Sequence, residues 1–584
     1  MADWYKASLA RLPVEALEQA EPTIDNLPFN SRRSPIYCRH ACVASSQPLA
    51  SELGLSFLRR GANAADAAIV VAAALAVTEP CSTGLGGDMF CLYYDSKSKK
   101  VSAINGSGKS PASLTLSLVQ QLYPGTKPGT IDCMKFRDSA HSITVPGAAQ
   151  GWEDLHKRHG SGKFTMSELL EPVAQMAEEG FPVAPITSFH WKAGLTQIKK
   201  WLPVESEDLP LTVDGKRAPD PGELISNPHM ARVLRDLGEN GATNGFYQGT
   251  TGQAIVDAIQ KHGGCMTMED LATHTSDFPD AISAQYRDFK LWQIPPNGQG
   301  IAGLIALSGL EYLEKKQIIA PLSPHSVGSA EQYHVLIEMM RLGFSDARAH
   351  IAEPNTMKVD NEWLLDQQRI GERAARLFDS TKATIHGAPD TSSCTVSFQV
   401  VDDEGNAISF VNSNFMGFGT GLMPEGCGFS MQNRGFGFTL EPRHPNTIGP
   451  SKRPYHTIIP GMLTHADNDE LYATISNMGG NMQPQGHLQL TVSLVAGGLD
   501  PQAAIDLPRF CIADGSHDGI VSLERGIDAG QLEKIKAFGH KMLPDVFGHE
   551  RALFGRAQII KRDRVSGVLC AGSDGRADGC AIGF

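Results

Sequence analysis

Cys394-Thr395-Val396-Ser397-Phe398-Gln399-Val400-Val401-Asp402-Asp403-Glu404-Gly405-Asn406-Ala407-Ile408-Ser409-Phe410 is the stretch whose reading decides the fold of this chain. Val396, Phe398 and Val400 alternate with Ser397 and Gln399 at a period of two, as in a β-strand with two unlike faces. Asp403-Glu404-Gly405-Asn406 supplies a turn, with Gly405 available for a positive φ. Ala407 to Val411 then returns as the second strand of a hairpin. A threonine starts the first strand. As an internal residue Thr395 is an ordinary β-former, and the alternation gives it no further role. As the first residue of a chain it would carry a nucleophile beside its own base, because an α-amine with a pKa near ~8 takes a hydroxyl proton close to neutral pH.

Outward from the hairpin, the segment before the threonine suits such a cut. Thr381 to Ser393 is rich in Thr and Ser and holds Gly387, Pro389 and Asp390, a linker composition. The bond expected to break is Cys394–Thr395. Further back, Asn361 to Leu377 reads as one helix. Glu331 to Asp346 is an amphipathic helix with Tyr333, Leu336, Ile337, Met340 and Phe344 on one face. Pro295-Pro296-Asn297-Gly298-Gln299-Gly300 is a turn that starts a helix over Ile301 to Leu313, and Thr144-Val145-Pro146-Gly147 precedes a helix through Trp152 and His156. Met89 to Tyr94 and Val101 to Ile104 are strands. Ala50 to Arg60 is a helix ended by Gly61. Asn63 is an N-cap with Asp66 at the third helical position, and Ala64 to Ala76 is so uniformly apolar that it must be buried on all sides. Gly84-Leu85-Gly86-Gly87 is not a phosphate loop, since it lacks the Lys-Ser/Thr ending and leads into a strand. Residues 1 to about 35, broken by Pro13, Pro22, Pro28 and Pro35, are expected to form a surface arm.

On the other side of the hairpin, Asn477-Met478-Gly479-Gly480-Asn481 is expected to open a helix that runs through Val495. Two successive glycine amides at a helix N-terminus can aim at a developing oxyanion, although a bare Gly-Gly is more often a plain turn.

A chain of 584 residues holds one large or two ordinary domains, and a net charge of −13 excludes nucleic acid and anionic membrane as main partners. The amino terminus shows no apolar signal region, and the most apolar stretch contains Asp66 and is too short to span a bilayer. Eleven cysteines without a CxxC pair are expected to be reduced thiols rather than a disulfide framework or a zinc site. These features point to a cytoplasmic protein.

Thr395 to Asp402, Gly405-Asn406-Ala407 and Phe418-Gly419-Thr420-Gly421 resemble the small-subunit start of γ-glutamyltranspeptidases, N-terminal nucleophile hydrolases that cleave themselves before a threonine. Gly61 to Ala68, Gly84 to Gly87, Lys452-Arg453-Pro454, Gly479-Gly480, Ala504 to Phe510 and Ser573 to Gly579 extend the resemblance along nearly the whole chain. It implies an α+β fold, the four-layer αββα sandwich. It also implies a large subunit over 1–394 and a small one over 395–584, interlocked in one domain and still associated after cleavage. Thr395 would be the nucleophile, Gly479 and Gly480 the oxyanion donors, and Ser413 would take the place of a threonine that contacts the nucleophile.

The donor pocket departs from the family. Ser107 stands in the slot of the arginine that clamps the donor's α-carboxylate, with Lys109 nearby. Phe415 fills an asparagine slot, and Gly437 fills that of the aspartate for the α-amine. Arg434 is a new cation, able to bind a carboxylate or to pair with Glu425 or Glu441. Tyr455-His456-Thr457 replaces a serine pair. Thr457 keeps a hydroxyl, and His456 is either a substrate contact or a satisfied structural histidine. The connection from Phe438 to Lys452 is shorter than a lid-bearing one, which implies an open cleft and favours water over amine acceptors.

The first reading is therefore a self-cleaving threonine hydrolase or acyltransferase. Its partners would be a γ-glutamyl or other small amide and a water or amine acceptor, with no cofactor or metal. Its donor is γ-glutamyl by resemblance, or a glutaryl or cephalosporin-type acyl group by the altered pocket. The rival is an uncleaved homologue without activity.

Overall fold

The computed structural model describes residues 33–124, 133–202, 209–384, 395–513, 515 and 519–584. Most of the expected arm, and residues 385–394 of the expected linker with Cys394, lie outside the described residues.

Among the described residues thirteen strands form the two main sheets. In chain order they are β1 (Ile36–Cys38), β2 (Cys42–Ser45), β3 (Asp88–Asp95), β4 (Lys100–Gly106), β5 (Ile282–Tyr286), β6 (Phe289–Gln293), β7 (Val396–Val401), β8 (Ala407–Ser413), β9 (Gly461–His465), β10 (Leu471–Met478), β11 (Arg556–Arg562), β12 (Leu569–Ser573) and β13 (Cys580–Gly583). One sheet has the order β1-β12-β11-β10-β9-β6-β5 and the other β13-β2-β7-β8-β3-β4. Every neighbouring pair in both is antiparallel.

The hairpin is the middle of the second sheet, with Val400 opposite Ile408 and Phe398 opposite Phe410. Its period-two pattern has a physical cause. Phe398 and Val400 pack outward, with Phe410, against the apolar helix α2 (Ala64–Thr78), all of whose residues are buried. Gln399 points the other way and donates from Nε2 to Ser476 Oγ at 2.7 Å, tying this sheet to β10 of the other. Phe90, Leu92, Val401, Val411, Met462 and Ile560 fill the space between the sheets. On the far side Leu304 of α4 (Gly300–Lys315), Ile337 of α5 (Ala330–His350) and Leu488 of α6 (Met482–Val495) cover Ile475 and Ile559. The helices α1 (Pro48–Arg59) and α3 (Ala148–His159) lie with α2 on the opposite face. This is the expected helix-sheet-sheet-helix sandwich.

The Asn63 cap forms as expected. Its side chain accepts the Ala65 and Asp66 amides, and Asp66 returns the bond. Asp402, at the end of β7, accepts the Ala64 amide at 2.9 Å, so the start of the buried helix is pinned to the hairpin. The hairpin turn keeps Gly405 at φ 82°.

Two elements differ from expectation. The second hairpin strand continues to Ser413, because β3 pairs with it as far as Ser413 opposite Asp88. The helix expected over Asn361 to Leu377 breaks into Asn361–Leu364 and Gln367–Leu377, since the Asp366 carboxylate accepts the Arg369 amide and starts a new helix. Among the described residues no helix is long and apolar enough to cross a membrane.

Candidate active site

Strand register assembles the site. β7, β8 and β3 are neighbours, so Thr395 just before β7, Ser413 at the end of β8 and Asp88 at the start of β3 come to one end of the sheet. Gly87 allows the close approach, because a Cβ there would lie 2.3 Å from the Ser413 carbonyl oxygen. Thr395 is fully buried, and its Oγ1 lies 3.0 Å from Ser413 Oγ. Ser413 Oγ also accepts the Phe415 amide at 2.9 Å, which requires Phe415 to turn back with φ 76°. A bulky residue held at positive φ beside Thr395 is backbone strain of the kind that clusters at functional sites.

Arg434 completes this row. Its Nη2 donates to Ser413 Oγ at 3.3 Å, and its Nη1 donates to Thr457 Oγ1 at 2.8 Å. The guanidinium carbon stands 4.2 Å from the centroid of the Phe415 ring. Of the two alternatives open to it, the pairing with Glu425 or Glu441 does not form. Burial brings the Arg434 pKa down to about 9, offset in part by Asp88, so the group keeps its charge at neutral pH.

His456 is held by structure. Its Nε2–H donates to Asp88 Oδ2 at 3.0 Å and its Nδ1 accepts the Ile458 amide. Burial, helped by the nearby Arg434 charge, pushes its pKa down to about 4. The pair is therefore a neutral imidazole on a carboxylate, not an ion pair. Burial alone would raise Asp88, but the bond from His456, the charge of Arg434 and the Gln432 amide together hold it below its usual value. Its Oδ1 accepts the Gly108 and Gly147 amides and Gln432 Nε2. Asp88 is thus a saturated structural hub.

This has a pH consequence. His487, also buried, is pushed down to about 3 by burial, and both histidines return to about 6.5 on unfolding. Below 6.5 the unfolded chain binds protons that the folded one refuses, so folding stability falls as pH drops from about 6.5 towards 4. Each tenfold in proton affinity is about 1.4 kcal/mol, so the expected loss is a few kcal/mol. A urea midpoint that stays constant between pH 7 and pH 4.5 would contradict this.

The glycine pair sits where β10 ends. The strand continues through Asn477 and Met478, contrary to the expected helix start, and Gly479 and Gly480 form the turn into α6 with φ 122° and 58°. Among the described residues neither glycine amide has an acceptor, whereas both carbonyls are used. Gln299 donates from Nε2 to both the Thr457 and the Gly480 carbonyl oxygens, joining the Arg434 row to the glycine turn, and Tyr455 Oη holds its Oε1. Gln299, Asn297 and Asp88 are the residues that sequence reasoning passed over. The Asn297-Gly298-Gln299 turn was visible, but its partners lie far away in the chain.

Ser107 has its hydroxyl engaged inside the protein. Its Oγ donates to Asn105 Oδ1 at 2.6 Å, Asn297 Nδ2 donates to it at 3.3 Å, and it is fully buried. Thr457 is spent on Arg434. Among the described residues no group of three or more His, Cys, Asp or Glu is arranged to hold a metal ion.

Known proteins resemble this chain along nearly its whole length. The chain is 34% identical over 551 residues to the glutathione hydrolase-like YwrD proenzyme of Bacillus subtilis, covering 93% of this chain and 98% of the relative. It is 28% identical over 550 residues to the oxamate amidohydrolase proenzyme of Klebsiella pneumoniae, with coverage of 93% and 98%. A solved cephalosporin acylase from Bacillus halodurans superposes with a TM-score of 0.84 at 37% identity, over 95% of this chain and 98% of that one. The gamma-glutamyltranspeptidase family model matches residues 50–584. The chain is an enzyme of the gamma-glutamyltranspeptidase family.

Proposed function

We propose that the protein is a self-activating amide hydrolase with Thr395 as its amino-terminal nucleophile. The observation that carries this reading is the buried Thr395–Ser413 hydroxyl pair at the head of the central hairpin. The unspent Gly479 and Gly480 amides, connected to it through Arg434, Thr457 and Gln299, support it. Thr395 Oγ1 attacks the Cys394 carbonyl, the acyl group shifts from nitrogen to oxygen, and water hydrolyses the ester. This leaves 1–394 with a carboxylate and 395–584 with a free α-amine. In the mature enzyme that amine takes the Oγ1 proton, Oγ1 bonds to the substrate carbonyl carbon, and Gly479 and Gly480 stabilise the oxyanion. The carbon–nitrogen bond breaks, the amine leaves with the proton, and water releases the acid. Several relatives carry proenzyme in their names, consistent with a chain that is cut.

Two donor classes compete. A γ-glutamyl donor follows from the family and from the relatives named glutathione hydrolase. A donor without an α-amino acid end follows from the site, where Ser107 is occupied and Gly437 offers no carboxylate, and it echoes the cephalosporin acylase neighbour. The site favours the second. Split protein given γ-glutamyl and glutaryl anilides side by side is expected to release aniline faster from the glutaryl compound. Faster release from the γ-glutamyl compound would restore the first.

A further inference from the structure

Arg434 is a buried cation without a counter-ion. It has no exposed surface, and among the described residues no carboxylate pairs with it. Asp88, the carboxylate whose charge it feels, has both oxygens committed to His456, Gln432 and two backbone amides. A guanidinium carries five N–H donors. Two of Arg434's go to the hydroxyls of Ser413 and Thr457, and among the described residues its Nε has no partner. Burying an unpaired charge is costly, and proteins keep such groups where a ligand supplies the opposite charge. The planar fork suits a carboxylate, which it can grip with two parallel bonds.

Position then restricts the ligand. Arg434 Nη2 is 3.3 Å from Ser413 Oγ, which is 3.0 Å from Thr395 Oγ1. The anchor is two hydrogen-bond lengths from the nucleophile. A carboxylate gripped there while its distant carbonyl meets Thr395 belongs to a short acyl chain. Four carbon–carbon bonds of about 1.5 Å each, zigzagging to about 5 Å, bridge the gap, and longer chains must fold. An ammonium next to that carboxylate would meet the guanidinium with like charge.

We infer that Arg434 is the carboxylate anchor of the acyl subsite and selects half-amides of short unbranched dicarboxylic acids, glutaryl or shorter, without an α-amine. This rests on the proposed role of Thr395.

The test compares glutaryl, succinyl, suberyl and uncharged pentanoyl anilides on the split enzyme. A charge-assisted grip gives kcat/KM for glutaryl or succinyl about 10- to 100-fold above that for pentanoyl, with suberyl well below glutaryl. In Arg434→Gln the glutaryl-to-pentanoyl ratio falls towards one, and Arg434→Lys restores part of it. If the Arg434 variants do not split, competition serves on the wild type: free glutarate inhibits competitively and pentanamide does not. Equal turnover of glutaryl and pentanoyl anilides by split wild-type enzyme, or equal inhibition by glutarate and pentanamide, overturns the inference alone. A chain that never splits, or that splits and hydrolyses none of the anilides, overturns the Thr395 reading with it.

Discussion

Thr395→Ala is expected to leave the chain whole at 584 residues and without amidase activity. The effect is large because one hydroxyl serves twice. In the proposed mechanism it opens the peptide bond before it, and that cut creates the α-amine that later serves as its base. Removing it deletes nucleophile and base together, and losses of nucleophiles that act as part of a unit reach about a million-fold in kcat. Thr395→Ser keeps a hydroxyl and is expected to split, more slowly, and to retain activity. The fold should survive both changes, since β7 is held by its neighbours on either side and by Phe398 and Val400 against α2. A denaturing gel and an anilide assay read both outcomes. A Thr395→Ala chain that still divides at the same place would remove the residue from its role.

Gly479→Ala is the second large effect. The residue sits at φ 122°, a conformation closed to L side chains, and a Cβ there would lie 3.1 Å from the Gly555 Cα. The turn must move, and the two amides move with it. Losing one oxyanion donor costs about a hundred- to a thousandfold in kcat, so split Gly479→Ala enzyme is expected to fall by at least that much with KM changed little. Gly480, at φ 58°, tolerates a side chain better, so Gly480→Ala is expected to be milder. A Gly479→Ala enzyme with near-normal kcat would show that the carbonyl oxygen is stabilised elsewhere. Thermal unfolding of the same sample separates loss of chemistry from loss of fold.

The parts of this molecule that were legible in sequence are those whose cause is local. The alternation of Val396, Phe398 and Val400 with Ser397 and Gln399 marked β7 because one face meets α2 and the other meets the second sheet. The Asn63 cap and the nearly all-apolar Ala64 to Ala76 run marked a buried helix, observed over Ala64–Thr78. The donor pocket was less legible. For Arg434 the residues left open a bound carboxylate or a pairing with Glu425 or Glu441, and its partners in the fold are the hydroxyls of Ser413 and Thr457, 21 and 23 positions away. His456 reaches Asp88 across 368 positions, a contact no spacing rule can anticipate. Ser107 stands in the donor-clamp slot by resemblance. Its hydroxyl is nonetheless taken by Asn105, two residues away, because a short polar side chain in a tight loop bonds locally.

The claim beneath all of this is that the reacting hydroxyl belongs to a chain terminus. Amino-terminal sequencing of the smaller fragment from active, purified protein tests it directly. The account predicts Thr-Val-Ser-Phe, starting at position 395. A different first residue in a fully active sample, or full activity from an undivided chain, would contradict it.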